Sequence, residues 1–370
     1  MLSPRTIPFF NYPALFAKQE QQFLEIINDV LRRGAYIMQK DLAEFETSLA
    51  QYLGVKHAIG IADGTMALTI GLKATGIEDG SEVIVPSHTF VASAAAINHA
   101  GGIPVLADCG LDHLISPASI ERLITPKTRA IMPVQLNGRT TEMDVILDIA
   151  QNHGLFVLED SCQALGSKYK GKFAGTFGKA GAFSFYPAKT LGCFGDGGAL
   201  VTDDDTIAQR AYLLRDHGRG PDGNIWCYGF NARLDNLQAA ILKFKLKEYD
   251  KDIIRRRELA ARYHESLKNL SELCLPPSPD SDDNHFDIYQ NYEIEAESRD
   301  ELRVFLSERG VSTIMQWGGN TLHQFEMLGL KGITTYTEEM TKRFMLLPMN
   351  TSLSDEDIDY ICECINMFYK

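Results

Sequence analysis

Several stretches of this chain carry residue types that can do chemistry. In SFYPAKTLGCFGDGGALVT a strand-like run ends near Phe185, Pro187 breaks it, and Lys189 follows in a loop with Gly192, Gly195, Gly197 and Gly198. A lysine at a sheet edge can form a Schiff base with a carbonyl compound, and glycines let backbone pass close to a flat ligand. The same pattern also describes a solvated lysine in an ordinary turn. In LFVLEDSCQALG an apolar strand ends on Asp160. Open α/β sheets bind ligands at the carboxyl ends of their strands, where a carboxylate can hold a protonated ring nitrogen. Asp160 could equally cap a following helix. In ADGTMAL, Gly64 and Thr65 precede a helical run, and a helix start with a glycine and a hydroxyl suits a phosphate. Phe90, in VPSHTFVASAAA, can stack on a ring or simply fill core. Asn231 and Arg233, in YGFNARLDNLQAA, precede an apolar helix, and capping by Asn231 or Asp235 with an arginine ion pair is the plain account.

The elements that must position these residues follow from the apolar pattern. The runs 83–87, 103–108, 130–134, 155–160, 182–186 and 198–203 read as buried strands. Separated by helix-period segments, they indicate a mostly parallel sheet covered on both faces. Phe23, Ile26, Ile27, Val30 and Leu31 fall on one helical face that Gly34 can close. Leu234, Leu237, Ile241 and Leu242 form a similar stripe. After about residue 247 the texture changes. KDIIRRRELAARYHESL reads as a surface helix, and PPSPDSDDN (276–284) as an exposed connector. YQNYEIE then reads as a strand, with helices at about 299–309 and 355–368. The expected organisation is an α/β protein with a large domain over 12–247 and a smaller α+β domain over 248–370.

A chain of 370 residues is long enough for two domains. Hydrophobic residues at 45% and charged residues at 23% are an ordinary globular balance. The net charge of -13 argues against a nucleic-acid binder, which needs a basic footprint. No apolar run is long enough to span a membrane, and MLSPRTIPFFNYP lacks the apolar stretch of a signal peptide. A cytoplasmic location is expected. The seven cysteines are scattered, with no CxxC pair, so neither a disulfide scaffold nor a zinc ribbon is expected, and no metal site is assigned.

Taken together, GT, TF, EDSCQA, SFYPAK with GDGG, and GFNARLDNLQAA resemble the DegT/DnrJ/EryC1/StrS family of sugar aminotransferases. The resemblance runs from about residue 12 to the end of the chain and is densest over 34–245. It implies the aspartate-aminotransferase-like fold (fold type I) and pyridoxal 5'-phosphate (PLP) as cofactor. Residue by residue, it implies that Lys189 forms the Schiff base and Asp160 pairs with the pyridine nitrogen, keeping the ring an electron sink. Gln163 matches the glutamine near the ring hydroxyl, and Gly64, Thr65 and Ser184 match the phosphate binders. Phe90 takes the stacking position, and Asn231 reaches the phosphate from the neighbouring subunit of a homodimer with shared sites.

The implied substrates are glutamate as amino donor and a keto-sugar linked to a nucleoside diphosphate, dTDP being expected. The implied pathways are deoxyamino-sugar synthesis, as for lipopolysaccharide, O-antigen or secondary metabolites. Three departures stand out. Asp63 replaces the usual serine before GT and is expected to point away from the phosphate. Asp196 in GDGG favours amination at C3 of the sugar over C4. IMQWGGNTLH replaces the usual HYPxPxH, leaving Gln316 in the segment near the sugar nucleotide and Trp317 and His323 as the substrate-binding candidates. Two other outcomes carry over from related proteins: a PLP-dependent sugar dehydratase, against which Lys189 counts because a histidine replaces it there, and a regulatory PLP-binding protein without turnover.

Overall fold

The computed structural model describes residues 5–370; the first four residues of MLSPRTIPFFNYP lie outside them. Its centre is an eight-stranded sheet. In spatial order the strands are His57–Ile61, Gly198–Thr202, Ala180–Ser184, Phe156–Asp160, Thr128–Ile131, Glu82–Pro86, Ile103–Ala107 and Lys331–Gly332. All six predicted strands are present, within about three residues at their ends. Seven of the eight run parallel, and Gly198–Thr202 runs against both of its neighbours. The reason is local. A parallel return needs a crossover of a dozen or more residues, usually helical, and the segment between Ser184 and Gly198 is a loop that carries Lys189.

The sheet is covered on both faces, as near-continuous apolar strands require. The buried helix Gly64–Thr75 packs Leu68, Ile70 and Leu72 onto it with Leu158 and Leu200. Ile120, Ile146 and Ile149 pack on Ile84, Ile131 and Val157. A three-stranded antiparallel sheet with the central strand Tyr292–Ala296 forms the second layer structure, covered by Arg299–Ser307 and Asp355–Phe368.

Two sequence expectations need correction. The basic stretch is helix Tyr249–Leu267, but it is not a surface helix. Its Tyr249 and Ile253 enter the core of the large sheet, while Leu259, Ala260, Tyr263 and Leu267 enter the core of the small one. We propose 247/248 as the boundary between the large domain (12–247) and the small C-terminal domain (248–370), with this helix reaching both cores. The second is the early helix, Glu20–Arg33, which is closed by left-handed Gly34 (φ 62°) but buries only Phe23 and Val30 and leaves Leu31 exposed. The later stripe is buried as an apolar face requires, with Leu234 and Leu242 packed within the chain against Leu42, Phe45 and Leu49.

Candidate active site

Asp160 ends its strand with its side chain 5% exposed. Its carboxylate accepts from Ser93 Oγ at 2.7 Å and from the Cys162 N–H at 3.2 Å. No helix follows it: the next elements are the two-residue strands Lys168–Tyr169 and Lys172–Phe173. The capping alternative for Asp160 is therefore overturned. Its neighbour Glu159, on the opposite face of the strand, accepts from the N–H groups of Gly175, Phe177 and Gly178 and from Gln135 Nε2. Burial raises the Glu159 carboxyl.

Lys189 is half-buried, with its backbone N–H donated to the Tyr186 carbonyl at 2.8 Å. Burial lowers the pKa of its amine, against the opposing pull of Cys162 and Asp160. A lowered amine is the condition a Schiff-base lysine needs, because only the neutral form attacks a carbonyl. Burial also holds the Cys162 thiol well above its ordinary range, with the charge of Asp160 acting in the same direction. The solvated-turn alternative for Lys189 does not describe this environment.

Gly64 and Ser184 meet beside Cys162. A Cβ on Gly64 would lie 2.8 Å from Ser184 Cβ and 2.9 Å from Cys162 Sγ, and one on Gly198 would lie 2.5 Å from the Asp63 carbonyl. The cleft floor is thus built of backbone, which only glycine permits. Gly64 and Thr65 open the helix Gly64–Thr75, whose first N–H groups have no partners within the helix. Asp63 does not point away: it is the N-cap, and its Oδ1 accepts from the Met66 N–H at 2.8 Å. It occupies one donor and leaves those of Gly64 and Thr65 available. Phe90 stands at the start of helix Val91–His99, half-exposed, one turn before the Ser93 that holds Asp160. A hydroxyl-and-amide cradle, an acid at a strand end and a buried lysine suit a flat, phosphate-bearing aldehyde cofactor.

Gln163 sits in an amide cluster. Its Oε1 accepts from the Asn137 N–H at 2.9 Å and Asn291 Nδ2 at 3.3 Å, and its Nε2 donates to Gln316 Oε1 at 3.4 Å. Asn137, Asn291 and Glu293 escaped the sequence reading, and so did Ser93. Ser93 lay inside VPSHTFVASAAA, and Asn291 and Glu293 inside YQNYEIE, which was read only as a strand. Trp317, at φ 52°, packs on the large-domain core with its ring centroid 5.1 Å from that of His88. The Nδ1 of His323 is 2.9 Å from both Ser87 Oγ and Thr321 Oγ1, and burial lowers its pKa. Both therefore lie near the end of strand Glu82–Pro86, on the Phe90 side.

Asn231 stands apart. It is exposed, bridges Asp216 in an antiparallel pair, and is bonded to Arg233, which ion-pairs with Asp216 at 2.7 Å. Neither Asn231 nor Asp235 makes a side-chain cap to helix Asn236–Leu246, so the capping account fails while the arginine ion pair is present. Asn231 closes a hairpin whose tip exposes Ile225, Trp226 and Tyr228.

A family model, the DegT/DnrJ/EryC1/StrS aminotransferase family, matches residues 17–366. The chain belongs to this family. It is a PLP-dependent aminotransferase. A pleiotropic regulatory protein of Geobacillus stearothermophilus is 36% identical over 98% of this chain and 99% of its own length. The dTDP-3-amino-3,4,6-trideoxy-alpha-D-glucose transaminase of Streptomyces venezuelae is 39% identical over 85% of this chain and 82% of its own. Other relatives are named for UDP- and GDP-linked sugars. Among solved structures, S. venezuelae DesV with a ketimine intermediate superposes with a TM-score of 0.94 at 34% identity, covering 100% of this chain and 99% of that one. NtdA of Bacillus subtilis, solved with bound PMP, gives 0.90 at 29%, covering 99% and 86%. The aspartate-aminotransferase-like fold expected of the family is the fold observed.

Proposed function

We propose that this family member transfers an amino group from glutamate to a keto-sugar linked to a nucleoside diphosphate. In our reading the nucleotide is dTDP and the keto carbon is C3 in preference to C4. The observation that carries the transfer chemistry is the convergence of a half-buried Lys189, Asp160 and the Gly64–Ser184 cradle. The substrate class rests on relatives named for dTDP-, UDP- and GDP-linked sugars. The C3 preference rests on Asp196 in GDGG.

When bound, the cofactor supplies an electron sink that stabilises a carbanion and carries the amino group between two substrates. The chain's own residues supply the rest. Lys189 holds the cofactor and, once displaced, its Nζ takes the proton from Cα of the amino donor. A positioned base contributes about 10²–10⁴-fold. The amine has a lowered pKa, so this base is neutral in a larger fraction of molecules. Asp160, fixed by Ser93, keeps the ring nitrogen protonated. Gly64, Thr65 and Ser184 bind the phosphate, Phe90 stacks on the ring, and Gln163 faces the ring hydroxyl. Trp317 and His323 contact the sugar nucleotide.

In this proposal the enzyme is a cytoplasmic homodimer in which Asn231 of one subunit reaches the phosphate in the other. The exposed Ile225, Trp226 and Tyr228 on the same hairpin support an interface there. No helix among the described residues is long and apolar enough to cross a membrane. The amino sugar would feed lipopolysaccharide, O-antigen or secondary-metabolite synthesis.

The test is to incubate the protein with glutamate and a panel of dTDP-, UDP- and GDP-linked 3-keto and 4-keto sugars, and to identify the aminated carbon. Amination at C3 of a dTDP-sugar is expected. A second reading, a cofactor-binding regulator without turnover, is favoured by the name of the Geobacillus relative. It predicts a Lys189-dependent absorbance band with no 2-oxoglutarate formed from any member of the panel.

A further inference from the structure

Behind Gln163 lies a directed chain of hydrogen bonds that ends on a buried carboxylate. Glu293, 3% exposed on strand Tyr292–Ala296, can only accept while ionised. Its Oε1 takes bonds from His88 Nε2 at 3.0 Å, His113 Nδ1 at 2.7 Å and Asn137 Nδ2 at 3.0 Å. Its Oε2 takes one from Gln316 Nε2 at 2.7 Å. Both amides are thereby oriented. Gln316 must turn its Oε1 toward Gln163 Nε2 and Asn291 Nδ2, and Asn137 must turn its Oδ1 toward Gln316 and Asn291. Asn291 Nδ2 and the Asn137 N–H then meet Gln163 Oε1. Asn137 is held at φ 55°, a backbone region that its side-chain bonds must sustain. Gln163 is left with its oxygen fully used and one amide hydrogen on Gln316 Oε1, so its other N–H is the group it can present.

We propose that Glu293, acting through Gln316 and Asn137, is a positioning residue that holds Gln163 with its remaining N–H turned toward the site. There it would donate to the ring hydroxyl oxygen of the cofactor. The inference rests on the reading of Gln163 given above and deepens it. Burial alone would push the Glu293 carboxyl up, yet His88 and His113 hold it far below its usual range. Near Gln163 and the cofactor the titratable groups are Asp63, Asp160, Cys162 and Lys189. Around Glu293 they are His88, His113 and Glu295, the last paired with Arg343 and Tyr336. The Gln316 end of this chain lies in IMQWGGNTLH, one of the segments where this sequence departs from the family pattern.

Glu293→Gln provides the test. A glutamine must place an NH2 against one of its former donors, and Gln316 can answer only by flipping, which sets its NH2 against Gln163 Nε2. The readout is the pH midpoint of the absorbance change of the Lys189-bound cofactor. The ring oxygen is most negative in the deprotonated form, so an N–H donor favours that form and lowers the midpoint. Losing the donor should raise the midpoint by about 0.5–1 unit, three- to tenfold in proton affinity. Simple removal of a nearby negative charge predicts the opposite sign. Asn291→Ala breaks the chain while leaving the Glu293 cluster intact, and it should raise the midpoint too. In a Gln163→Ala background the Glu293→Gln shift should disappear.

A midpoint that stays or falls in both Glu293→Gln and Asn291→Ala overturns the inference, as does a shift that persists unchanged without Gln163. If instead Lys189→Ala keeps the parent's absorbance band, the cofactor reading itself fails, and that result is distinct from a normal band with an unmoved midpoint.

Discussion

Replacing Asp160 by asparagine separates its charge from its shape. The side chain is 5% exposed and receives Ser93 Oγ at 2.7 Å and the Cys162 N–H at 3.2 Å. The two bonds reach different oxygens; asparagine can keep the Cys162 N–H on its one oxygen and donate its NH2 to Ser93 Oγ, so the strand end should hold its form. The amide cannot stabilise a positive ring nitrogen, and its NH2 would face that nitrogen as a donor. Breaking a buried charge pair from one side costs about 3–5 kcal/mol. At about 1.4 kcal/mol per tenfold in rate, that predicts a loss of about 10²–10⁴ in the first half-reaction. Cofactor binding should largely survive, because Lys189 and the Gly64–Ser184 cradle are untouched. The assay is single-turnover conversion with glutamate, followed by absorbance, alongside the unfolding midpoint of each protein. A variant that binds PLP, unfolds like the parent and reacts within a few-fold of its rate would refute the assigned role of Asp160.

Three further outcomes follow from the same geometry. Gly64→Ala puts a methyl 2.8 Å from Ser184 Cβ and 2.9 Å from Cys162 Sγ, so it should destabilise the protein by about 1–3 kcal/mol and weaken cofactor retention on dialysis. Mixing Lys189→Ala with Asn231→Asp chains, each inactive alone, should regain activity by forming dimers with one intact site. No recovery despite demonstrated subunit exchange would remove the shared site. His113, bonded to Glu293 and Glu295, has its pKa raised to about 9 despite the opposing effect of burial. A raised histidine stabilises fully below its unfolded value of about 6.5 and loses that contribution as pH rises through its folded value. Urea unfolding should therefore show stability falling between about pH 6.5 and 9, by up to about 3 kcal/mol, and His113→Gln should flatten that slope.

The strands, the order of motifs and the residues of the cleft were legible in the sequence because each rests on local signals. Apolar runs mark buried strands, and glycines mark the places where backbone must approach something closely. Asp160 and Ser184 end strands, Gly64 opens a helix, and Lys189 follows Ser184 in the loop beyond its strand. A mostly parallel sheet gathers such ends along one edge, so the pattern of elements already implied their meeting.

What only the tertiary structure decided are the questions of partner and face. Nothing local distinguishes Asp160 as a helix cap from Asp160 as a free acid; the absence of a following helix and the approach of Ser93 decide it. The arginine-rich helix reads as surface because its charges dominate its composition. In the fold Arg256 is buried, donating to the carbonyls of Tyr289, Gln290 and Met349. The stripe through Leu234 and Leu242 invites an intersubunit role, but the chain covers it with its own Leu42 and Phe45. Glu293 left no sequence signal at all, since an acid in an alternating strand reads as a solvent-facing residue. Its burial depends on two histidines from distant loops, and a bond between residues so far apart in the chain is set by the packing of the two cores, not by either segment alone.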